Sequence, residues 1–280
     1  MNPARRRWAG AGLAMLGAKA LGHATTARAA TTATTATSAV AVDDRATASD
    51  RQAELVARSR AAVVPLGVWN PTESPRFAFR GSAFAIGDGR RIATCAHVLP
   101  PSTQVESRIA VFAETSPGQR EARLARVLSV ERSHDVAVLE LEGPPLARAL
   151  PLAEPDSIRE GHAIVLMGYP IGGAFGFATV THSGIVAAIT TLAVPAANAQ
   201  TLDPRAVSRM RDGNPEVLQL DAVAYPGNSG GPVIDVRNGR VVGLLSMAAV
   251  KNSRESALTS PTGISYAIPV RYLHDLLRTL

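Results

Sequence analysis

From Ala62 to Ile268 the chain is a succession of short apolar runs separated by Gly, Pro, Asn and Asp. The runs are Ala62–Val68, Ser82–Ile86, Ile92–Ala96, Arg108–Phe112, Arg123–Val130, Val136–Leu141, Ala163–Gly168, Gly184–Ile189, Leu218–Ala222, Pro232–Val236, Val241–Ser246 and Ser265–Ile268. Runs this short, punctuated this often, read as strands joined by tight connections. No alternating helix–strand rhythm appears, so a parallel sheet is disfavoured and an antiparallel barrel or sandwich is expected. Asp88-Gly89 and Arg237-Asn238-Gly239-Arg240 read as hairpin turns, the latter through the positive φ values that Asn-Gly accepts. Glu142–Leu152, with Pro144, Pro145 and Pro151, reads as a linker between two halves. Val270–Leu280 reads as a terminal helix with Leu273, Leu276 and Leu277 on one side, and Asp50–Ala62 as a short helix capped by Asp50.

The first 49 residues read differently. Arg5-Arg6-Arg7, the weakly apolar stretch Trp8–Ala18 and Ala27-Arg28-Ala29 have the three parts of an export signal cut after Ala29. Export through the general secretory route fits better than the twin-arginine route, because Trp8-Ala9 is a poor match to the latter. The apolar stretch is too short to span a bilayer, so no stable membrane insertion is expected after its removal. Residues 30–49, rich in Thr, Ala and Ser, read as a flexible tether.

Charge and composition narrow the function classes. The net charge is +6, but five of the 29 basic residues and no acidic one lie in residues 1–29. The body is therefore nearly neutral, and with 4% aromatic residues it offers neither a basic patch nor a stacking platform for nucleic acid. A single cysteine, Cys95, excludes a disulfide framework and a multi-cysteine metal cage. His162, His182 and His274 share no metal-ligand spacing, and neither a metal nor a cofactor is expected. Cys95 itself reads as a small buried apolar residue, Met167 and Met247 as ordinary core or cleft residues, and His134 as exposed.

Three segments carry chemistry: Thr94-Cys95-Ala96-His97-Val98 at a strand end, His134-Asp135 heading a strand, and Pro226-Gly227-Asn228-Ser229-Gly230-Gly231-Pro232 between two strands. A serine hydroxyl becomes a nucleophile when a base takes its proton, and the base needs a carboxylate to fix its tautomer and stabilise its cation. Glycines beside the serine allow backbone N–H groups to converge where an oxyanion would form. Each segment alone is weak; the three together, ordered His, Asp, Ser on an all-β background, are specific.

In these residues the chain resembles the chymotrypsin-like serine proteases, most closely the bacterial Deg/HtrA branch, over about residues 60–272. Gly81-Ser82-Ala83-Phe84, Met167-Gly168-Tyr169-Pro170, Ser183-Gly184-Ile185-Val186 and Ala267-Ile268-Pro269 follow the same order. The resemblance implies an all-β fold of two antiparallel six-stranded barrels, about 60–142 and 152–270, with a helix at 271–279, the protease domain as a whole covering 50–280. It implies His97 as base, Asp135 as its orienter, Ser229 as nucleophile, the N–H groups of Gly227 and Ser229 as oxyanion hole, and Ser246 as support for Asp135. It implies substrate pairing along Ser246-Met247-Ala248 and a specificity pocket between Val223 and Ile264. Neither pocket residue is acidic, so cleavage of polypeptides after small or medium aliphatic residues is expected. Asn228 stands where digestive members carry an Asp that pairs with a new N-terminus, so that mode of activation is not expected. Members of the branch usually carry a C-terminal PDZ domain; the sequence given ends at Leu280 and regulation through one is not expected. Thr190–Pro215 reads as a long loop bordering the cleft. The expected location is periplasmic or extracellular. Two rivals are a protease-fold binding protein without turnover and a serine esterase; the latter is disfavoured because no Gly-x-Ser-x-Gly elbow lies between a strand and a helix.

Overall fold

In a computed structural model, residues 47–101, 108–116, 119–170, 177–191, 215–246 and 263–280 are described. The leader, Met247 and Ala248, and nearly all of the 190–215 stretch lie outside them.

Twelve strands form two closed antiparallel barrels. The first contains β1 (Val63–Trp69), β2 (Phe77–Ile86), β3 (Arg91–Cys95), β4 (Arg108–Ser116), β5 (Gln119–Glu131) and β6 (Val136–Leu141), in spatial order β1-β2-β3-β6-β5-β4. The second contains β7 (Ala163–Gly168), β8 (Val180–Thr191), β9 (Glu216–Asp221), β10 (Pro232–Asp235), β11 (Val241–Leu245) and β12 (Ile264–Pro269), in order β10-β11-β12-β9-β8-β7. The expected two-barrel, all-β architecture is thus the one observed.

Period-two alternation explains why β7 of the second barrel is apolar along its whole length. Successive side chains of a strand face opposite sides of a sheet. On β7, Ile164 and Leu166 enter the interior of the second barrel, whereas Val165 and Met167 join the core shared with the first barrel. On β10, Val233 and Ile234 divide in the same way. A strand buried on both faces has no polar face to show. Each such Leu, Ile or Met contributes about 2 kcal/mol of burial, and the shared core is what fixes one barrel against the other.

The connection between the barrels is also fastened. Leu150 N–H donates to Ala85 O (2.8 Å) on the first barrel, and Ala153 N–H to Val241 O (2.9 Å) on the second. Tyr169, just past β7, is buried and its hydroxyl donates to Val63 O on β1 at 2.8 Å. Burial raises the Tyr169 pKa above its ordinary value, so the phenol remains a donor.

Several local expectations are corrected. Asp50 lies inside a helix over residues 47–59, α1, rather than capping it. The 235–240 turn does not use positive φ at Asn238; only Gly239 is left-handed (φ 70°). Asp235 organises it instead: its carbonyl accepts Gly239 N–H at 2.8 Å and its carboxylate takes Arg237 N–H at 2.9 Å. His134 is half-buried, stacked on Tyr272 at 4.0 Å between ring centres. Tyr272 belongs to the terminal helix α2 (Val270–Leu277), which buries Val270, Leu273 and Leu276. Among the described residues no helix is long and apolar enough to cross a membrane.

Candidate active site

β3 ends at Cys95 and the chain turns at once through a single 3-10 turn, Ala96–Val98, which carries His97. Arg80 on β2 braces this turn: its guanidinium donates to Val98 O (2.7 Å) and Leu99 O (3.3 Å). Asp135 sits one residue before β6, on the strand that pairs with β3. Its φ of 58° is left-handed, a conformation that costs a non-glycine residue about 1–3 kcal/mol. What the strain provides is visible in the bonds. Asp135 O accepts Ala96 N–H at 3.1 Å, Oδ1 accepts His97 N–H at 2.8 Å, and Oδ2 lies 2.7 Å from His97 Nδ1. Ser246, just past β11, donates its hydroxyl to the same Oδ2 at 3.0 Å.

An ionised carboxylate accepts only, so the proton between the pair sits on Nδ1. The other ring nitrogen, Nε2, is then a lone-pair acceptor. The side chains of His97 and Asp135 are 34% and 23% exposed, which leaves the pair reachable from solvent.

The Gly227–Gly231 loop is stitched to both barrels. Gly230 N–H donates to Leu245 O and Leu245 N–H to Gly231 O, each at 2.8 Å. Ser82 N–H, from the first barrel, donates to Ser229 O at 2.8 Å. The Ser82 hydroxyl donates to Gly227 O at 2.7 Å and accepts Tyr169 N–H at 2.9 Å. Gly227 (φ 102°) and Gly230 (φ 84°) hold conformations that other residues resist. The turn closes with Asn228 N–H donating to Tyr225 O at 3.0 Å, while Gly227 N–H has no acceptor among the described residues. Ser229 is 6% exposed. Asn228 is fully buried, its amide against Gly168 and without a hydrogen-bond partner among the described residues.

The fold therefore brings His97, Asp135 and Ser246 into one bonded cluster, and seats the loop of Gly227 and Ser229 on the strand ends beside it. Of the pocket residues, Val223 is half-buried, and Ile264 is 48% exposed opposite Asp221 in the β9–β12 register. Cys95 is fully buried and its thiol points at Leu245 O, 3.4 Å away. Burial first, then the negative charge of Asp135, holds its pKa well above the ordinary thiol value. The supporting roles of Ser82, Tyr169 and Arg80 were not read from sequence, although Gly81-Ser82 and Gly168-Tyr169 belong to the motifs quoted above.

Two closed antiparallel six-stranded barrels with a bonded His–Asp pair and a glycine-rich serine loop define a class of protein, the two-barrel all-β fold. The chain belongs to the family of trypsin-like peptidase domains, whose pattern matches residues 81–244. It is 29% identical over 145 residues to the serine protease Do-like HtrA of Lactobacillus helveticus, covering 52% of this chain and 30% of that protein. It is 30% identical over 149 residues to the serine protease Do-like HtrB of Bacillus subtilis (53% and 28%), and 29% identical over 213 residues to the putative serine protease HhoA of Synechocystis (75% and 45%). The chain thus spans less than half the length of these relatives. Among solved structures it shares its fold with Deg5 (TM-score 0.57, 21% identity, 81% of this chain and 92% of that one) and with the HtrA-type protease AlgW bound to a tripeptide (TM-score 0.54, 23% identity, 81% and 62%).

Proposed function

We propose that the chain is a serine endopeptidase that cleaves polypeptides through an acyl-enzyme. The observation that carries this reading is the bonded series Ser246–Asp135–His97 beside the Ser229 loop. Ser229 Oγ attacks the scissile carbonyl carbon while His97 Nε2 takes its proton. Asp135 stays ionised and stabilises the imidazolium. The N–H groups of Gly227 and Ser229 receive the oxyanion, each such donor being worth about 10²–10³ in rate. Collapse breaks the C–N bond, His97 protonates the leaving amine, and water repeats the sequence to release the acid. Val223 and Ile264 border the pocket for the residue before the cut, and the backbone of 246–248 pairs with the substrate as an added strand. The leader takes the protein out of the cytoplasm and is removed after Ala29.

Ser229→Ala tests the assignment. It is expected to lower turnover by about 10⁶-fold with an unchanged unfolding midpoint, and to abolish labelling by a fluorophosphonate. A wild-type chain that takes no label under native conditions is a binding protein instead.

A further inference from the structure

The proposed catalytic pair has a third neighbour that the mechanism does not use. Cys95 Sγ, a ring nitrogen of His97 and a carboxylate oxygen of Asp135 all lie within 4.8 Å of one another. Sulfur, imidazole nitrogen and carboxylate oxygen together are the donor set of a borderline-soft divalent cation, whereas Mg²⁺ and Ca²⁺ prefer oxygen alone. Tetrahedral bonds of about 2.0–2.3 Å place donor atoms about 3.3–3.7 Å apart. The thiol, within 4.8 Å of both partners, has to close in by at most about 1 Å, and the 2.7 Å His97–Asp135 contact has to open by about 0.6 Å. Both are side-chain adjustments. The thiol is buried, but the imidazole and the carboxylate reach solvent. A cation arriving from the cleft meets those two first and the sulfur last.

We propose that Cys95, His97 and Asp135 form an inhibitory site for a thiophilic divalent cation such as Zn²⁺ or Cd²⁺. This rests on the protease reading above, because inhibition follows from what the cation displaces. It takes the place of the proton between His97 Nδ1 and Asp135, so the base loses both its orientation and its carboxylate. The protons balance. The thiol proton leaves for solvent as the metal–sulfur bond forms. Nδ1 gives up its proton to bind the metal and Nε2 takes one up from solvent, so the ring stays neutral and one proton is released per cation. No electron moves. With Nε2 protonated, Ser229 has no base.

Cys95 is the only cysteine in the chain, so any metal–thiolate signal reports on this site alone. The test titrates Cd²⁺ and Zn²⁺ against hydrolysis of a Val-ended peptide by the full chain, and follows in parallel the ultraviolet sulfur-to-cadmium charge-transfer band. The wild type is expected to be inhibited reversibly, with chelator restoring activity and Mg²⁺ having no effect. Cys95→Ala and Cys95→Ser are expected to lose the band and to need about 100-fold more cation for half-inhibition, since loss of one ligand costs at least what loss of its supporting partners does. The serine variant, nearly isosteric, decides the matter if the alanine variant does not fold. Equal inhibition of wild type and variants overturns the proposal, as does a wild type that cleaves the peptide without being inhibited, or one that gives no band. The same titration on Ser229→Ala separates this idea from the protease reading. A Cys95-dependent band in a wild type that cleaves no peptide keeps the metal site and removes the protease; cleavage without a band does the reverse.

Discussion

Gly230→Ala is the substitution for which the structure gives the sharpest quantitative expectation. A Cβ on Gly230 would lie 2.2 Å from Ser82 O, 2.3 Å from Thr94 Oγ1 and 3.1 Å from Cys95 N. Ordinary contact begins above 3 Å, so either the loop or the paired strands β2 and β3 have to retreat by about 1 Å. Neither is free to do so: Thr94 Oγ1 donates to Ser82 O at 2.8 Å, and Ser82 N–H holds Ser229 O at 2.8 Å. The left-handed φ of 84° adds about 1–2 kcal/mol for any residue with a Cβ. Overpacking adds about 1–3 kcal/mol, for a stability loss of about 2–5 kcal/mol. Activity should fall as well, because misplacing a reacting group by about 1 Å costs roughly 10²-fold. The assay pairs kcat/KM on a peptide substrate with urea unfolding followed by circular dichroism. Gly161→Ala is the control: its φ is 81°, but nothing lies within 4 Å of the added methyl. It should show the backbone penalty without the loss of activity. If Gly230→Ala keeps wild-type kcat/KM, the loop does not need its seat on β2 and the argument fails.

Other outcomes follow from the same contacts. Ser82→Ala leaves the buried Tyr169 N–H without its acceptor and frees Gly227 O; a stability loss of about 1–3 kcal/mol and a fall in kcat larger than the change in KM are expected, and a rise in KM alone would contradict the oxyanion-loop role. His182 Nε2 is buried without a partner among the described residues, and burial lowers its pKa from 6.5. The unfolded chain therefore takes up the proton first as pH falls, so the folded state loses stability below about pH 6.5; His182→Leu should flatten this part of the curve of urea midpoint against pH, and an unchanged slope would reject the idea. Peptides ending in Val before the cut should be hydrolysed faster than those ending in Arg, measured as a ratio of kcat/KM; the reverse order would point to a carboxylate serving the pocket, with Asp221 opposite Ile264 as the group to substitute.

The parts of this fold that can be read from the chain are those set by neighbours in sequence. β3, β6, β7 and β11 are buried on nearly every residue, so their apolar runs mark them within a residue or so. β5 extends to Gln119 and β8 starts at Val180, well beyond their apolar stretches, because their outer halves are partly exposed and carry Arg, Glu, Thr and His like any loop. His97, Asp135 and Ser229 are legible from three short motifs taken together, in the order His, Asp, Ser on an all-β background. What holds them leaves no such mark. Ser82 reaches Gly227 across 145 residues, and Tyr169 reaches Ser82 across 87 and Val63 across 106. His134 looked solvent-facing by alternation along β6, yet the terminal helix delivers Tyr272 onto its ring. Asp135 shows why the division falls there. A strand-opening Asp is ordinary, and nothing beside it announces a left-handed φ. That conformation is stable only because Ala96 N–H, His97 N–H, His97 Nδ1 and the Ser246 hydroxyl all converge on one residue. Three of those four donors come from the 3-10 turn after β3 and the fourth from the second barrel, so the geometry of the site is a property of barrel packing before it is a property of any motif.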